Sequence, residues 1–258
     1  MTTAQPPIAR LSSVTGAVRV LKCFSELEPE IGISSLSERL HLAKSTVHRL
    51  ASTLLAEGLL DQNPDNGRYR LGIHLFIMGA LVRRRLSVSN MAQPFLSTLR
   101  EQVDETVHLA ILKETDIIYL YNLESRHAIR MKSYIGSLKP AFCTSEGRAM
   151  LAFASDEVVN RVLRGPLNPR TPSTLVSPAK LRKVLAEVHA QGYALDDEES
   201  ELGMRGIAAP LRDISGSVVA AIGIGGPSQR LTLKKLRGLA PLLLETADAI
   251  STQLGYRS

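Results

Sequence analysis

Apolar side chains in the first quarter of this chain recur every three to four positions, which is the period of a helix. Ser35 stands three residues before Glu38, and this S-x-x-E pattern predicts a short helix that begins at Ser35. After a turn at residues 41–43, a second helix is predicted over residues 44–57, because Gly58 suits the C′ position of a helix. The buried stripe of this second helix is predicted to be Val47, Leu50, Ala51 and Leu54.

The polar side chains of the second helix point away from that stripe. A short helix, a tight turn and a second helix with small polar and basic side chains outward form the helix-turn-helix plan, in which the second helix lies in the major groove of DNA. Its first residues then meet base edges, so we predict that this helix binds double-stranded DNA. The predicted DNA-binding residues of the helix are Lys44, Ser45, Thr46, His48, Arg49 and Ser52.

A hairpin is predicted directly after the second helix. Two strand-like pieces, residues 59–60 and 69–71, flank a turn segment that ends in an Asn-Gly pair. This pair is the strongest local hairpin signal, because both residues tolerate positive φ. Arg68 and Arg70 alternate with a tyrosine, so both guanidinium groups project from one face toward phosphate or the minor groove. A helical hairpin with solvated charges is the alternative, but this order of elements favours a winged helix-turn-helix that binds DNA.

Apolar residues cover almost every side of the next predicted helix, at residues 73–86, which includes Arg83-Arg84-Arg85 near its end. Such a helix needs apolar partners on all sides. It is either a linker helix packed on its own domain and on a second subunit, or a buried core helix of one subunit, and the sequence leaves both open. The arginine run either touches DNA phosphates or is a solvated helix end.

The remaining pattern predicts an α+β domain with a mostly antiparallel sheet, an arrangement that can hold a small pocket. Its helices are predicted at residues 91–103, 144–153, 178–191 and 232–254, and its strands at 106–113, 117–121, 129–134, 206–212 and 217–225. A first helix, capped by Ser13, is predicted over residues 13–24 and packs through Val14, Ala17, Val18 and Leu21. We divide the chain into a flexible tail (1–12), a winged helix-turn-helix domain (13–72), a linker helix (73–88) and a ligand-binding domain (89–258).

The charge balance permits a polyanionic partner. The formal net charge is +6, and residues 1–88 carry +4 of it, from 11 Lys and Arg against 7 Asp and Glu. This modest bias is expected of a DNA-binding segment. Cys23 and Cys143 are too few for a disulfide framework or an all-cysteine zinc site, which favours a reducing compartment. No apolar run approaches the ~20 residues of a membrane span and no signal peptide is apparent, so we expect a cytoplasmic protein without a membrane partner.

No motif proposes a catalytic residue, a metal site or a cofactor. The acidic run at residues 196–199, with Glu201 nearby, suits hard cations but lacks EF-hand spacing, and such runs are usually solvated loops. The glycine-rich segment at residues 223–227 is not a dinucleotide fingerprint, and His108 belongs to no catalytic pattern. An enzyme with an incidental winged helix and a winged helix used for protein contacts are the alternative hypotheses.

The start of the helix predicted at residues 144–153 is the best candidate anion site of the second domain. Thr144 or Ser145 suits the N-cap, and the amides of the turn through Gly147 carry the positive end of the helix dipole. A small carboxylate placed there accepts backbone hydrogen bonds. The alternative is a well-capped helix without a ligand.

Six sequence blocks, in order and spacing, resemble the IclR family of bacterial transcription regulators over nearly the whole chain, and within it the KdgR-type subgroup. They are SLSERLHLAKSTVHRLASTLLAEGLL, NGRYRLG, VHLAIL, IRMKSYIG, CTSEGRAMLA and GYALDDEESELGMRGIAAPLRDISGSVVAAIGIGGP. The resemblance implies a winged helix-turn-helix, a linker helix and a GAF-like effector-binding domain. It also implies a homodimer that pairs again into a tetramer, and a regulator, more often a repressor, whose operator binding a small organic acid controls.

The resemblance further implies which residues contact the effector. Ser145 and Glu146 match backbone contacts, Asp196 matches a polar side-chain contact, and Gly206 matches a position that is often cysteine. Two positions that are usually serine hold Gly223 and Gly225 here, which leaves more room and suits a bulkier or differently oriented effector. The predicted effector-binding residues are Met131, Thr144, Ser145, Glu146, Gly147, Asp196, Gly206, Gly223 and Gly225, although Met131 on a strand is also typical of a core residue.

Overall fold

The computed structural model describes residues 12–85, 87–131 and 134–257, without the side chains of residues 12, 83–85 and 87. The chain forms two compact units, Met1–Arg85 and Leu86–Ser258. The predicted tail lies outside the described residues except for Ser12, which begins the first helix. Across the described ranges, every helix is too short or too polar to cross a bilayer.

The N-terminal unit is a winged helix-turn-helix, as predicted. A single apolar core, which includes Leu36, Val47, Ala51 and Leu60, holds its elements together. The buried stripe predicted for the second helix of the motif is confirmed, and Leu50 is half-buried at its margin. In chain order the elements are α1 (Ser12–Leu21), α2 (Ile33–Leu40), α3 (Lys44–Ala56), β1 (Leu60–Gln62), β2 (Tyr69–Leu71) and α4 (Ile73–Arg85).

The start of α2 differs from the prediction. This helix begins at Ile33, and its N-cap is Gly32 in extended backbone, so Ser35 lies inside the helix and forms no capping box. The cause is a bridge between Ile31 and Tyr69, whose amides and carbonyls exchange two hydrogen bonds of 2.9 Å. This bridge keeps the chain extended as far as Gly32, and the helix starts immediately afterwards.

The buried face of α1 also differs from the prediction. Val14 and Val18 are exposed, whereas Val20 is fully buried and Ala17 packs beside it. The helix ends at Leu21 instead of continuing to residue 24. Of the predicted face, Ala17 and Leu21 therefore pack on the core, whereas Val14 and Val18 do not.

The hairpin between β1 and β2 has a longer turn than the Asn-Gly pair predicts. Gly67 adopts positive φ (66°) and Asn66 does not, so the turn is not of the two-residue type. Side-chain oxygens shape it instead: Asn63 Oδ1 accepts from the amide of Asp65 at 2.9 Å, and Asn66 Oδ1 accepts from the amide of Arg68 at 2.8 Å. Such Asx turns stabilise the tip of the hairpin locally.

Helix α4 is described over Ile73–Arg85, and residue 86 of the linker helix predicted at residues 73–88 lies outside the described residues. Six of its large apolar side chains are strongly solvent-exposed, with Phe76 at 72% and Met78 at 46%. None of these side chains belongs to the described apolar core of the N-terminal unit. The side chains of the arginine run at residues 83–85 lie outside the described part of the structure.

The C-terminal unit is an α+β domain, as predicted. Its antiparallel sheet has the order β5-β4-β3-β8-β7-β6, with α5 and α9 on one face and α6, α7 and α8 on the other. The elements before α6 are α5 (Ser87–Val103), β3 (Thr106–Lys113), β4 (Asp116–Leu123), β5 (Leu138–Pro140) and a 3-10 turn (Ala141–Cys143). Those that follow are α6 (Ser145–Leu151), α7 (Asp156–Arg164), α8 (Pro178–Gln191), β6 (Ala194–Asp197), β7 (Met204–Arg212), β8 (Val218–Pro227) and α9 (Leu233–Gln253).

Four elements of this unit differ from the sequence prediction. The strand predicted at residues 129–134 is absent from its described part, and residues 132–133 lie outside the described residues. The free edge of β4 pairs instead with β5, which follows a turn at Gly136 (φ 86°). Helix α7 and strand β6 were missed, the latter because its second half belongs to the acidic run.

Small residues on one face of the sheet determine where α6 lies. Successive side chains of a strand alternate between faces, so Gly206 and Gly223 face α6 while their neighbours Ile207 and Ile222 fill the core beneath α5 and α9. Gly147 of α6 is equally constrained, because a Cβ there would lie 2.2 Å from the carbonyl oxygen of Ala141. Helix α6 therefore packs close to the centre of the sheet.

Candidate DNA interface and effector cavity

The polar face of α3 is the candidate DNA interface. Val47 and Ala51 are fully buried, and they anchor the helix against the N-terminal core. On the opposite side Ser45, His48 and Arg49 are exposed. Lys44 is also exposed, whereas Thr46 and Ser52 are half-buried at the edge of the face.

Local contacts leave this face available. His48 Nδ1 lies 3.5 Å from Ser52 Oγ one turn later, which aligns the two side chains along the helix. Arg49 forms no ion pair within the described ranges, so its guanidinium group keeps its donors for another molecule. A planar group with free parallel donors suits bidentate contact with guanine or phosphate.

The hairpin presents a second basic surface. Arg68 and Arg70 are exposed on either side of Tyr69, which is buried. Sequence reasoning missed Glu30, whose Oε1 lies 3.9 Å from Arg70 Nη1 and whose carboxylate accepts from both Asn63 and Asn66 at 3.0 Å. The hydrogen bonds from Asn66 and then Asn63 lower the pKa of Glu30, so it is an ionised carboxylate that fixes the hairpin tip.

A small cavity between α6 and the sheet is the candidate effector site. Seven of the nine predicted effector residues line it, and the other two, Gly147 and Gly223, are positions where α6 packs without side-chain room. The predicted residues in its wall are Met131, Thr144, Ser145, Glu146, Asp196, Gly206 and Gly225. The wall residues that the sequence did not predict are His108, Tyr119, Ser200, Met204, Arg205 and Ile224.

His108 was the most important omission. It lies on β3 between Val107 and Leu109, which both enter the core beneath α5 and α9. Strand alternation therefore places the imidazole on the α6 face, and this pattern was available in the block VHLAIL.

The expectation of extra room at the two glycines is wrong. A Cβ at Gly223 would lie 2.4 Å from Glu146 Oε1, and a Cβ at Gly225 would lie 2.5 Å from the sulfur of Met131. The space that these glycines leave is thus already filled. The remaining cavity measures about 10 Å³, which holds about one water molecule.

Glu146 is the central buried charge of the cavity. Its Oε1 lies 3.3 Å from His108 Nδ1, at an angle too unfavourable for a regular hydrogen bond, and its Oε2 accepts from Ser145 Oγ at 3.1 Å. Burial would raise its pKa, but the interaction with His108, its own backbone amide and Ser145 together lower the pKa of Glu146. His108 Nε2 is buried without a hydrogen-bond partner among the described residues.

Asp196 on β6 is the second buried carboxyl of the cavity. Its Oδ1 accepts from the amides of Glu199 at 2.8 Å and Ser200 at 3.3 Å, and its Oδ2 accepts from the Ser200 hydroxyl. Burial raises the pKa of Asp196 to about 6, against the opposing effect of these hydrogen bonds. A modest change in its surroundings is enough to change its protonation.

The rest of the acidic run is engaged in ion pairs. Arg148, which is 3% exposed, binds Glu199 through two bonds of 2.5 and 2.6 Å. Arg205 binds Asp197 at 2.5 Å and Glu198 at 3.2 Å. Throughout the described segments, no three His, Cys, Asp or Glu side chains converge as a metal site requires.

Comparison with known proteins covers both units of the chain. The model of the IclR helix-turn-helix domain matches residues 13–64, and that of the bacterial transcriptional regulator IclR C-terminal region matches residues 80–252. The chain is 34% identical over 247 residues to the HTH-type transcriptional regulator XynR of Escherichia coli K12, which covers 95% of this chain and 98% of XynR. It is 35% identical to KdgR of the same organism, over 95% of this chain and 94% of KdgR.

Solved structures give the same result at the level of the fold. An IclR homolog from Microbacterium hydrocarbonoxydans, complexed with 4-hydroxybenzoate, superimposes with a TM-score of 0.83 and 29% sequence identity. The match covers 94% of this chain and 99% of that one.

Proposed function

The chain belongs to the IclR family of bacterial transcriptional regulators and is a DNA-binding regulator, not an enzyme, and we propose that a small organic acid in the C-terminal unit controls its affinity for an operator. We propose a winged helix-turn-helix over residues 13–72, a linker helix at 73–88 and an effector domain at 89–258. Several matched relatives are named repressors, and we propose repression here too. Because the operator DNA of a bacterium lies in the cytoplasm, we propose that the protein acts there.

The exposed polar face of α3 supports the proposed DNA contact. Its buried stripe fixes the helix, and Ser45, His48 and Arg49 project from the other side. In a helix-turn-helix protein these first residues of the second helix contact base edges, while basic groups such as Arg68 and Arg70 neutralise phosphates. Two subunits would contact half-sites ~34 Å apart on a pseudo-palindromic operator.

The apolar surface of α4 supports a homodimer. Six large apolar side chains of this helix are between 46% and 72% exposed, which is costly in water and typical of a surface that a second subunit covers. Dimerisation through the N-terminal unit would also place two recognition helices on one operator. A dimer of dimers is the proposed higher assembly.

The composition of the cavity supports a small polar effector. Ser145, Glu146, Asp196 and His108 bring hydroxyl, carboxyl and imidazole groups to one buried point, and a few convergent polar groups in an enclosed site are typical of ligand recognition. The Microbacterium homolog was solved with an aromatic acid, 4-hydroxybenzoate. We propose a small carboxylic, keto or sugar acid as effector for this chain.

An operator-binding titration with and without candidate acids tests the proposal. The full-length protein is mixed with labelled DNA from its own promoter region and with random DNA of equal length, and a panel of small carboxylic acids is added. An effector at about 100 times its Kd should stabilise the protein by ~2.7 kcal/mol in a thermal-shift assay and change operator affinity. By linkage, operator DNA must change effector affinity by the same factor. Equal affinity for operator and random DNA contradicts the DNA assignment, and operator affinity that no acid changes contradicts the effector assignment.

A further inference from the structure

The groups that face the effector cavity carry more negative than positive charge. Glu146 and Asp196 are acidic, and His108 is the one base whose ring lies beside them among the described wall residues. Arg205 also reaches the wall, but Asp197 and Glu198 already hold its guanidinium group. An anionic effector therefore meets two buried carboxyl groups at the point where it would need a positive partner.

The backbone at Gly223 leaves space for the side chain of Glu146. Its carboxylate lies over Gly223, where any Cβ would come within 2.4 Å of Oε1 and 2.9 Å of Cδ. His108 supplies a nitrogen at 3.3 Å, and Ser145 donates a hydroxyl at 3.1 Å. A glycine without a side chain, an imidazole nitrogen within ion-pairing distance and a hydroxyl donor thus surround one carboxylate. Glu146 supplies that carboxylate.

We propose that the side chain of Glu146 is an internal occupant of the anion subsite of this cavity, so that an organic-acid effector binds only by displacing it from His108 and Ser145. This inference rests on the proposed acid effector and names the residue that selects it. Since two carboxylates within a few ångströms of one imidazole repel each other strongly at low dielectric, the effector and Glu146 exclude each other.

Two further observations support displacement over simple addition. The cavity of about 10 Å³ holds about one water molecule, so no acid enters while Glu146 stays in place. His108 Nε2 is buried without a partner in the described part of the chain, and a buried polar atom of this kind costs free energy until a ligand group satisfies it. An effector with a second polar group can contact His108 Nε2 or Asp196, and these contacts offset the loss of the Glu146 contacts. An acid whose only polar group is its carboxylate gains no such contacts.

Acetate is the matched probe for this proposal. Glu146→Ala removes a CH2 and a carboxylate beyond Cβ, and acetate carries the same groups. Calorimetric titration of the full chain with sodium acetate should show that Glu146→Ala binds acetate at least about tenfold tighter than the wild-type protein. The neutral analogue acetamide should bind both proteins with similar, weak affinity. Glu187→Ala, which removes an exposed carboxylate on α8, should leave acetate affinity unchanged.

Two conservative variants decide the matter if Glu146→Ala does not fold. Glu146→Gln keeps the volume of the side chain and should gain no acetate affinity, and Glu146→Asp withdraws the carboxylate from His108 and should give an intermediate gain. Equal acetate affinity in the wild type, Glu146→Ala and Glu146→Asp overturns the proposal, as does acetamide binding to Glu146→Ala as tightly as acetate. These titrations contain no DNA, so they test the role of Glu146 even if no acid alters operator affinity. If the titrations contradict the role of Glu146, the operator assay still tests the proposed function.

Discussion

Arg49 in the N-terminal unit and Arg148 in the C-terminal unit are the same residue type in opposite surroundings. The guanidinium group of Arg49 projects into solvent from α3, whereas that of Arg148 is 3% exposed and bound to Glu199 through both terminal nitrogens. The same contrast holds for His48 and His108 and for Ser45 and Ser145. The N-terminal unit presents its polar groups outward to another molecule, and the C-terminal unit uses them to hold its own interior.

The polar groups of the N-terminal unit should therefore determine DNA affinity, and those of the C-terminal unit should determine the free energy of unfolding. A solvated charge contributes little to the free energy of unfolding but remains free to replace counterions on a polyanion. A buried ion pair supports the free energy of unfolding only while both partners are present, because removal of one partner leaves an unpaired charge in the interior. Substitutions in the two units should therefore change different quantities.

The largest effect is expected for Arg148→Ala. This change leaves the Glu199 carboxylate half-satisfied and largely buried, and should lower the free energy of unfolding by about 3–5 kcal/mol. Urea titration followed by circular dichroism measures it. Arg161→Ala, which breaks an exposed pair with Glu157 one helical turn away, is the control and should cost about 0.5 kcal/mol or less. Equal losses in both variants would contradict the distinction between buried and exposed pairs.

Arg49→Ala should do the opposite. Specific operator affinity should fall by about 1–3 kcal/mol if Arg49 contacts a base, while the free energy of unfolding changes by less than about 0.5 kcal/mol. Fluorescence anisotropy with operator and random DNA measures the first quantity, and the same urea titration measures the second. Arg164→Ala removes an exposed arginine from the C-terminal unit and should leave both unchanged. The assignment of Arg49 is wrong if the variant still discriminates operator from random DNA as the wild type does.

Asp196→Asn should change how the free energy of unfolding depends on pH. The pKa of Asp196 in the folded protein, about 6, lies above its ordinary value of 3.8, so the folded state binds the proton more tightly than the unfolded chain. Ionised Asp196 therefore destabilises the fold near neutral pH, and this penalty disappears as pH falls through the folded-state pKa. Between about pH 7 and pH 5, the wild type should gain about 1 kcal/mol more stability than Asp196→Asn. Parallel stability curves for the two proteins would show that Asp196 does not titrate in this window.

The smallest effect is expected for Arg70→Ala. Its guanidinium group is exposed and already lies 3.9 Å from Glu30, so it contributes one phosphate contact at most. The variant should bind operator and random DNA slightly and equally more weakly. The slope of log K against log salt should fall by about 1, a change that a salt titration detects. An unchanged slope would place Arg70 outside the DNA contact.

The N-terminal unit was more predictable from sequence than the effector cavity, for physical reasons. The stripe of Val47, Ala51 and Leu54 follows from helix periodicity, and Gly58 (φ 67°) ends α3 where the pattern places it. The start of α2 was mispredicted because the bridge between Ile31 and Tyr69 overrides the local capping pattern. Local rules succeed where neighbours in sequence are also neighbours in space.

The cavity depends on contacts between distant positions. Glu146 on α6 meets His108 on β3, and Gly223 on β8 meets Glu146, so no single segment shows that these three residues come together. Helix capping by Thr144, which accepts from the amide of Gly147, was predictable because it is local. The acidic run shows the same limit, since its partners Arg148 and Arg205 lie on other elements.

The cavity of about 10 Å³ also has a kinetic consequence. A molecule larger than water does not fit a site this small, so any such molecule that enters must wait for the protein to open. Its observed association rate should then level off as its concentration increases, at the rate of opening and not at the diffusion limit. The speed with which such a sensor responds would be set by the protein's own fluctuations, independent of how quickly the signal accumulates.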